Sequence, residues 1–308
     1  MSHFLQGVAW EQFQHTLGNK TIRRHTDTWD YLGIIERNRL NSRLYVPYGP
    51  SFKTMADFDT ALTSLRHDAK VEHLSFIRIE PSRALSSADL RARGFHPVNY
   101  QQLQPAHTQI IDLTNDEETL LQQMSQSTRN IVRNYYKKGI TVRKSTNPSD
   151  ITILTGLLAS VASRNHITVH TDTYFQQQAA TLFPLGAAAL YIAEYNNTPI
   201  AAALAFEDKT TRTYAHAAAN DSYRKLNAGT ALLGYMILDA KKSGLTTFDL
   251  YGIADTDDPR HPWAGFTKFK KSFGGHSVAY PGAWDLPLNQ PVYRLYRLYQ
   301  SVRSKLRR

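Results

Sequence analysis

The chain has 308 residues, a formal charge of +10 at pH 7 and no cysteine. Its length and its 42% of hydrophobic residues suit one large or two ordinary domains and argue against general disorder. The absence of cysteine excludes disulfides and thiol catalysis, and we expect no metal site. The positive charge favours polyanionic partners such as nucleic acid, nucleotide-linked substrates or anionic lipid, although it could also serve solubility alone.

The N-terminal residues and the apolar runs of the chain show whether targeting or membrane-spanning segments are expected. Residues 1–14 mix polar and apolar side chains and lack the basic start and apolar stretch of a secretion signal. No later run approaches the roughly 20 apolar residues that span a bilayer. We therefore expect a cytoplasmic protein without a transmembrane segment, with peripheral contact at the inner membrane surface left open.

The predicted elements follow a similar order in residues 1–113 and 114–280, which indicates two related α/β units. Alternating apolar residues predict the strands of the first unit, and Pro81 ends the second of them. The predicted elements of this unit are a strand at 42–46, a turn at 47–50, a helix at 54–70 and a strand at 74–79.

The second unit begins with a predicted helix. Thr114-Asn115-Asp116-Glu117 is typical of a capping box, and Gly139 is a typical helix end, so one helix is predicted between them. Arg129 and Arg133 lie four residues apart and therefore share a face of this helix. They could contact successive phosphates, and a solvated face is an equally good interpretation.

The remainder of the second unit resembles the second half of a GNAT acyltransferase domain. It consists of predicted strands at 187–195, 200–206 and 212–219, a helix at 228–243 and a strand at 246–251. Residues 222–233 resemble the pyrophosphate loop of that fold, in which backbone amides at a helix start surround the pyrophosphate of acyl-CoA. Asn227 replaces the first glycine, and its side chain would crowd a phosphate. Another activated acyl donor, such as aminoacyl-tRNA, is therefore favoured.

The C-terminal residues form a basic segment. From Leu286 onward there is no acidic residue, and basic and apolar residues alternate at helical spacing. This pattern predicts an amphipathic helix. We expect it to pack on the first unit, and contact with tRNA or with an anionic membrane could be added to that packing.

Residues 261–275 resemble a segment near the end of the Fem family of non-ribosomal peptidyltransferases. The matching pairs are Gly265-Phe266, Phe269-Lys270 and Phe273-Gly274. The resemblance extends to 249–254, to 45–50 and to the region of Trp10, and so covers nearly the whole chain. It is closest to the compact members that lack a paired-helix insertion.

This resemblance implies an α/β fold of two tandem GNAT-like domains. The first would comprise residues 1–113 with 281–308, including the returning C-terminal helix, and would bind the acceptor. The second would comprise 114–280 and would bind aminoacyl-tRNA. The implied reaction transfers an amino acid from aminoacyl-tRNA to an amine of a peptidoglycan precursor, either UDP-MurNAc-pentapeptide or lipid II. It needs no cofactor, and we expect a monomer.

Two other functions are also compatible with the sequence. An acyl-CoA-dependent N-acyltransferase would use the same fold, and Asn227 argues against it. A non-catalytic relative that binds tRNA or membrane would agree with the basic C-terminal segment. Binding of coenzyme A would favour the first alternative, and binding of tRNA without aminoacyl transfer would favour the second.

The resemblance also implies donor-side residues. Phe269 and Lys270 match the phenylalanine-lysine pair that the family places near the tRNA acceptor end. Attack by an amine puts negative charge on the ester oxygen, and a fixed cation would stabilise it, so Lys270 is the predicted catalytic residue. The predicted tRNA-binding residues are Phe269, Lys268, Lys271, Arg129 and Arg133.

The acceptor-binding residues that the resemblance implies are Tyr174, Tyr223, His170, Arg164, Tyr48 and Gln14. His170 occupies the position at which compact members carry a phosphate-binding arginine, and histidine is a weaker, pH-dependent phosphate ligand. Arg164 is the candidate to compensate for it. The sequence identifies no general base.

Overall fold

The computed structural model describes residues 3–38, 42–82, 85–165 and 169–306, and their side chains except those of 164–165 and 303–306. The strands are β1 Lys20–His25, β2 Trp29–Arg37, β3 Ser42–Tyr48, β4 Ser51–Phe52, β5 Phe76–Pro81, β6 His96–Pro97, β7 His107–Asp112, β8 Ile140–Ser145, β9 Ala188–Tyr195, β10 Thr198–Glu207, β11 Thr211–Ala219, β12 Thr247–Gly252, β13 His276–Ala279 and β14 Trp284–Pro287. The α-helices are α1 Val8–Thr16, α2 Met55–Val71, α3 Ser87–Ala92, α4 Glu117–Gln123, α5 Gln126–Asn134, α6 Ile151–Asn165, α7 Asp172–Leu182, α8 Ala228–Lys242, α9 Ala264–Lys271 and α10 Gln290–Leu306.

The chain forms two units, one of residues 1–106 with 279–308 and one of residues 107–278. The predicted boundary at 113/114 lies one strand later than the structural one. Strand β7 belongs to the second unit because it pairs antiparallel with β12, from Asp112 opposite Thr247 to Thr108 opposite Gly252. The first unit is therefore discontinuous in sequence, and the second is continuous.

The sheet of the first unit has the described strand order β1-β2-β3-β5-β14-β6, and β4 pairs with β2. Its pairs are antiparallel except for β3 and β5, which are parallel. Helix α2 begins at a capping box between Thr54 and Asp57, and it buries Phe58, Leu62 and Leu65 in the core of this unit.

Helix α10 packs on the first unit, which confirms the expected return of the C-terminal segment. Tyr293 and Tyr296 are buried against Phe76 of β5, with ring centroids 5.3 and 5.1 Å away. Beneath them, Arg78 of β5 lies directly opposite Asp285 of β14 in the sheet. Both side chains are completely buried, so the end of the chain completes the core of its beginning.

The sheet of the second unit has the described order β13-β7-β12-β11-β10-β9-β8, and β11 and β12 are its parallel pair. The strands predicted at 187–195 and 200–206 correspond to β9 and β10, which form an antiparallel hairpin. Asn196 and Asn197 at its turn have φ angles of 49° and 60°, the left-handed values that two-residue hairpin turns require and that Asn tolerates. Helix α8 packs against this sheet with its buried face.

The single helix predicted up to Gly139 is wrong, because the structure divides it. Asp116 caps α4, and Met124 then adopts an extended conformation. The Ser125 hydroxyl accepts a hydrogen bond from the Thr128 amide and so starts α5, which a 3-10 helix continues to a left-handed Gly139. The serine hydroxyl satisfies the amide that a continuous helix would otherwise satisfy, and for this reason the chain can restart there.

Across the described ranges, no helix combines the length and the apolar character needed to cross a bilayer.

Candidate active site

The parallel strands of the second unit separate soon after they meet. β11 and β12 pair only from Thr211 opposite Thr247 to Thr213 opposite Asp249. Beyond this point β11 stays with β10, where the register shifts between Leu204 and Ala205, and β12 stays with β7. An opening at the carboxyl ends of parallel strands is where α/β sheets commonly bind ligands.

Strand β12 bulges at this opening. Its register with β7 shifts between Asp249 and Gly252, and Tyr251 has a left-handed φ of 62°. The buried Asp249 carboxylate accepts hydrogen bonds from the Tyr251 amide, at 2.7 Å, and from the Thr108 hydroxyl. Burial raises the pKa of Asp249, and these hydrogen bonds oppose the rise. Asp249 thus holds the bulge in shape from inside the protein.

Lys270 of α9 contacts this bulge. Its Nζ donates a hydrogen bond to the Gly252 carbonyl at 2.7 Å. Burial lowers the pKa of Lys270 to about 8, and the negative charge of Asp249 opposes that shift. No carboxylate lies within ion-pair distance of Lys270 among the side chains that the structure describes. The ammonium is therefore desolvated and held mainly by a backbone dipole.

Helix α9 is held in place by two of its own side chains and by the two glycines that follow it. The Thr267 hydroxyl accepts a hydrogen bond from the Ala254 amide at 2.8 Å, and Phe269 packs on the core with its ring 5.3 Å from that of Phe273. After the helix, Gly274 and Gly275 have φ angles of 87° and 75°. A Cβ at Gly275 would lie 2.1 Å from the Ile110 carbonyl oxygen, so glycine is required at this position.

The predicted donor-side residues lie on two helices that meet. Helix α5 begins where α9 ends, since the Ser125 amide donates to the Ser272 carbonyl at 2.8 Å. Arg133 is paired with Glu118 and Lys271 with Asp257, both at exposed positions. The structure therefore brings the helices of the five predicted residues together, and it adds two acidic partners that the sequence did not suggest.

The predicted acceptor residues of the second unit lie in an aromatic cluster beside β11. His170 stacks on Tyr174 with ring centroids 4.0 Å apart, and its ring edge faces His216 at 5.9 Å. Burial lowers the pKa of His170 and lowers that of His216 to about 4, so both are neutral at pH 7. Burial also raises the pKa of Tyr174 to about 12. The surface therefore offers aromatic faces and neutral hydrogen-bonding groups. His216 is part of this cluster, although it was not among the predicted site residues.

Two more predicted acceptor residues, Tyr223 and Arg164, belong to the second unit. Tyr223 packs against the core and contacts Tyr195 with ring centroids 6.1 Å apart. Arg164 belongs to α6, and its side chain lies outside the described residues. Both roles stay predictions.

The predicted acceptor residues of the first unit are buried within it. Tyr48 has a left-handed φ of 51°, stacks on His3 with ring centroids 3.9 Å apart and donates its hydroxyl hydrogen to the Pro105 carbonyl at 3.2 Å. The Gln14 side chain accepts a hydrogen bond from Asn19 at 2.8 Å. Both side chains are used to close the first unit, and their roles in acceptor binding stay predictions.

The loop before α8 ends in an asparagine with left-handed dihedral angles. Asn227 caps the helix with φ 59° and ψ 38°, a left-handed conformation, and makes no side-chain capping hydrogen bond. Within the described residues, no group of three or more His, Asp and Glu side chains is arranged to hold a metal ion.

The fold and this opening define a protein of two tandem GNAT-like domains. A tandem GNAT protein from the clavulanic acid biosynthesis pathway shares this fold, with a TM-score of 0.52 and 12% identity over 84% of this chain and 79% of that one. Residues 85–197 and 176–301 match the model of the FemAB family. Because these segments cover more than half of the chain, the protein belongs to the FemAB family.

Two named relatives refine this placement. The chain is 27% identical to the aminoacyltransferase FemA of Staphylococcus aureus over 113 residues, which are 36% of this chain and 26% of FemA. It thus matches about a quarter of that relative's length. The crystal structure of FemX superposes with a TM-score of 0.84 and 18% identity, over 95% of this chain and 94% of FemX. That similarity shows a shared fold along nearly the whole chain.

Proposed function

We propose that this protein transfers an aminoacyl group from aminoacyl-tRNA to an amine of a peptidoglycan precursor stem peptide, in UDP-MurNAc-pentapeptide or lipid II. Membership of the FemAB family and similarity to the aminoacyltransferase FemA support this class of reaction. The observation that carries the proposal is the Lys270 ammonium, desolvated and fixed by the Gly252 carbonyl where β11 and β12 separate.

The reaction places its charge where such an ammonium is useful. The acceptor amine attacks the ester carbonyl, a C–N bond forms, and the carbonyl oxygen becomes negative in the tetrahedral intermediate. The C–O bond to the terminal ribose then breaks, the attacking nitrogen loses a proton and the ribose oxygen gains one, so that an amide and uncharged tRNA leave with no net change in protons. Lys270 stabilises the oxyanion, because a preorganised cation in a water-poor site acts more strongly than one in water. With a pKa of about 8, Lys270 is also a suitable proton donor to the leaving oxygen.

The bulge explains how Lys270 is positioned. One of the three N–H bonds of its ammonium is directed to the Gly252 carbonyl, and two remain for a substrate. That carbonyl is held by Asp249 through the amide of Tyr251. Asp249 is therefore a positioning residue, whereas Lys270 is the catalytic residue of the proposal.

The donor side would bind the tRNA acceptor end. Lys268 is exposed, and Lys271 and Arg133 are held only by exposed carboxylates, Asp257 and Glu118. An exposed ion pair contributes only about 0–1 kcal/mol, so exchanging a carboxylate for a tRNA phosphate costs little. Arg129 lies on the same helix as Arg133, one turn earlier.

The acceptor side would use the neutral aromatic cluster. His170 and Tyr174 present stacked rings rather than a fixed cation. Such a surface suits the sugar and peptide portions of the acceptor better than its phosphates. We therefore place the stem peptide next to β11, and its attacking amine near Lys270.

The test is a transfer assay. Purified protein is incubated with mixed charged tRNAs and either UDP-MurNAc-pentapeptide or lipid II, and products heavier by one amino-acid residue are sought by mass spectrometry. Lys270→Ala should lower product formation at least about 100-fold. The matched control is Lys242→Ala, at an exposed position at the end of α8 that takes part in no proposed contact. Folded protein that gives no product with any charged tRNA, or that acylates the acceptor from acetyl-CoA, would refute the proposal.

A further inference from the structure

Helix α10 has a second apolar face that the first unit does not cover. Tyr293 and Tyr296 are buried, whereas Leu295 and Leu298 are 67% and 63% exposed. Tyr299 and Val302 are also exposed, at 42% and 51%. Positions 295, 298, 299 and 302 follow the i, i+3, i+4, i+7 spacing, so these four side chains form one stripe on the solvent side of the helix.

Positive charge accompanies this stripe. Arg294 and Arg297 are exposed on the same helix. The sequence from Leu286 to the end contains no acidic residue and six basic ones, which are Arg294, Arg297, Arg303, Lys305, Arg307 and Arg308. An apolar stripe beside basic residues is the pattern of helices that lie in the interface of an anionic bilayer.

We propose that α10 binds the protein to the surface of an anionic lipid bilayer. Leu295, Leu298 and Val302 enter the boundary between headgroups and acyl chains, and Arg294 and Arg297 bind lipid phosphates. The helix remains docked through Tyr293 and Tyr296, so the bilayer meets a preformed surface. This binding does not depend on the proposed transferase activity.

Other partners satisfy these observations less well. RNA would bind the arginines and leave the four-residue stripe in water. A second copy of the chain would cover the stripe, but a symmetric pairing of α10 would bring Arg294 and Arg297 close to their own copies, with no acidic residue on the helix to offset them. A bilayer that contains anionic lipid provides the apolar environment and the negative charge together.

Vesicle sedimentation tests the proposal with the full-length chain. The vesicles contain equal parts of phosphatidylglycerol and phosphatidylcholine, and phosphatidylcholine alone is the neutral comparison. The stripe variant is Leu295→Glu with Leu298→Glu. The matched control is Val8→Glu with Val71→Glu, since these valines are 60% and 59% exposed on other helices of the same unit. Circular dichroism and thermal unfolding establish that both variants are folded.

We expect the unchanged protein to sediment with the anionic vesicles and to be released by salt, because the arginine contribution is screened. The stripe variant should bind at least about tenfold more weakly, because two leucines no longer leave water, and the control variant should bind like the unchanged protein. Arg294→Gln with Arg297→Gln should reduce both the binding and its dependence on salt.

Three outcomes would overturn the proposal. One is equal sedimentation of the stripe variant and the unchanged protein. Another is binding of tRNA, in place of vesicles, that depends on the arginines and not on the leucines. The third is a dimer in analytical ultracentrifugation that the stripe variant converts to monomer, which would assign the stripe to a second copy.

Discussion

Arg78 of the first unit and Lys270 of the second are cations withdrawn from water, Arg78 completely and Lys270 partly, and they are held in different ways. In the first unit, the Arg78 guanidinium donates to both carboxylate oxygens of Asp285, at 2.7 and 2.8 Å, and also to Tyr100 and Gln101. In the second, Lys270 donates to the Gly252 carbonyl. Burial lowers the pKa of both cations. The charge and hydrogen bonds of Asp285 outweigh that effect for Arg78, whereas for Lys270 the fall to about 8 remains.

The difference separates a structural cation from a reactive one. Arg212 is also completely buried in the second unit, and it is paired with Glu207 and Asp239, so the contrast does not follow from which unit holds the cation. A fully paired guanidinium has no charge left for a substrate. Within the described part of the chain, Lys270 has one hydrogen-bond partner, the neutral Gly252 carbonyl, and it keeps its charge available, which is typical of functional sites.

The largest expected effect is on stability and concerns the structural cation. Asp285→Asn leaves Arg78 buried without its counterion and should lower the free energy of unfolding by about 3–5 kcal/mol. Urea unfolding at pH 7 measures this loss. The control is Arg260→Ala, which removes the exposed pair with Asp258 and should change stability by at most about 1 kcal/mol. Equal losses in the two variants would contradict the structural role of the buried pair.

The next effect concerns the reactive cation. Lys270→Ala should lower kcat/KM for aminoacyl transfer by roughly 100- to 1,000-fold, the usual consequence of losing one oxyanion-stabilising group. Among the described side chains no carboxylate lies within ion-pair distance of Lys270, and Asp249 keeps its hydrogen bonds from Thr108 and Tyr251. The variant should therefore remain folded, in contrast to Asp285→Asn. Transfer kinetics and urea unfolding of the same sample check both halves of this prediction. A variant that loses stability as severely as Asp285→Asn would remove the distinction between the two cations.

The close contact between Gly275, just after α9, and the Ile110 carbonyl provides a third test. Gly275→Ala places a methyl group against the Ile110 carbonyl at a left-handed φ, and it should cost roughly 2–4 kcal/mol and weaken transfer. Gly244→Ala is the matched control, because Gly244 has a similar φ of 80° and open space around it. Its cost should be only about 1 kcal/mol. Both variants share the cost of the left-handed conformation, and only Gly275→Ala adds the contact with Ile110. The difference between their unfolding curves therefore measures the cost of that contact, and similar curves would show that the contact does not fix α9.

The pH profile provides the finest distinction. Expressed per unprotonated acceptor amine, the rate of transfer by the unchanged protein should be constant at low pH and fall as the pH passes about 8, because Lys270 loses its charge. Lys270→Arg keeps the charge and should lack the descending limb, even if its maximum rate is lower. Rates are corrected for spontaneous hydrolysis of the ester without enzyme. A descending limb that persists in Lys270→Arg would assign it to another group.

Much of the fold could be predicted from the sequence because local patterns determine it. The strands on either side of Asn196-Asn197 and the amphipathic α10 follow from residue type and spacing, and the structure has both. The break at Ser125 was missed because the apolar spacing continues across it. The capping serine is anchored by Ser272, a tertiary contact that local sequence does not indicate.

The candidate site could be predicted only in part. Lys270 follows from the family resemblance, but its environment depends on the bulge at Tyr251. A left-handed tyrosine has no signature in the sequence, and Asp249 stabilises it through a hydrogen bond that exists only in the folded sheet. Gln14 and Tyr48 show what a family resemblance does not reveal. Both were chosen because they match positions of the family's acceptor site. In the structure both side chains are buried and make hydrogen bonds within the first unit.

The ion pair of the first unit also has a consequence for the order of folding. Asp285 lies 207 residues after Arg78, so a growing chain carries an unpaired arginine in its first unit until those residues have been synthesised. The second unit is continuous and can fold before synthesis ends, although it is encoded later. Chains that stop before Asp285 therefore lack part of their first unit. The returning segment thus makes completion of the first unit wait for synthesis of the second.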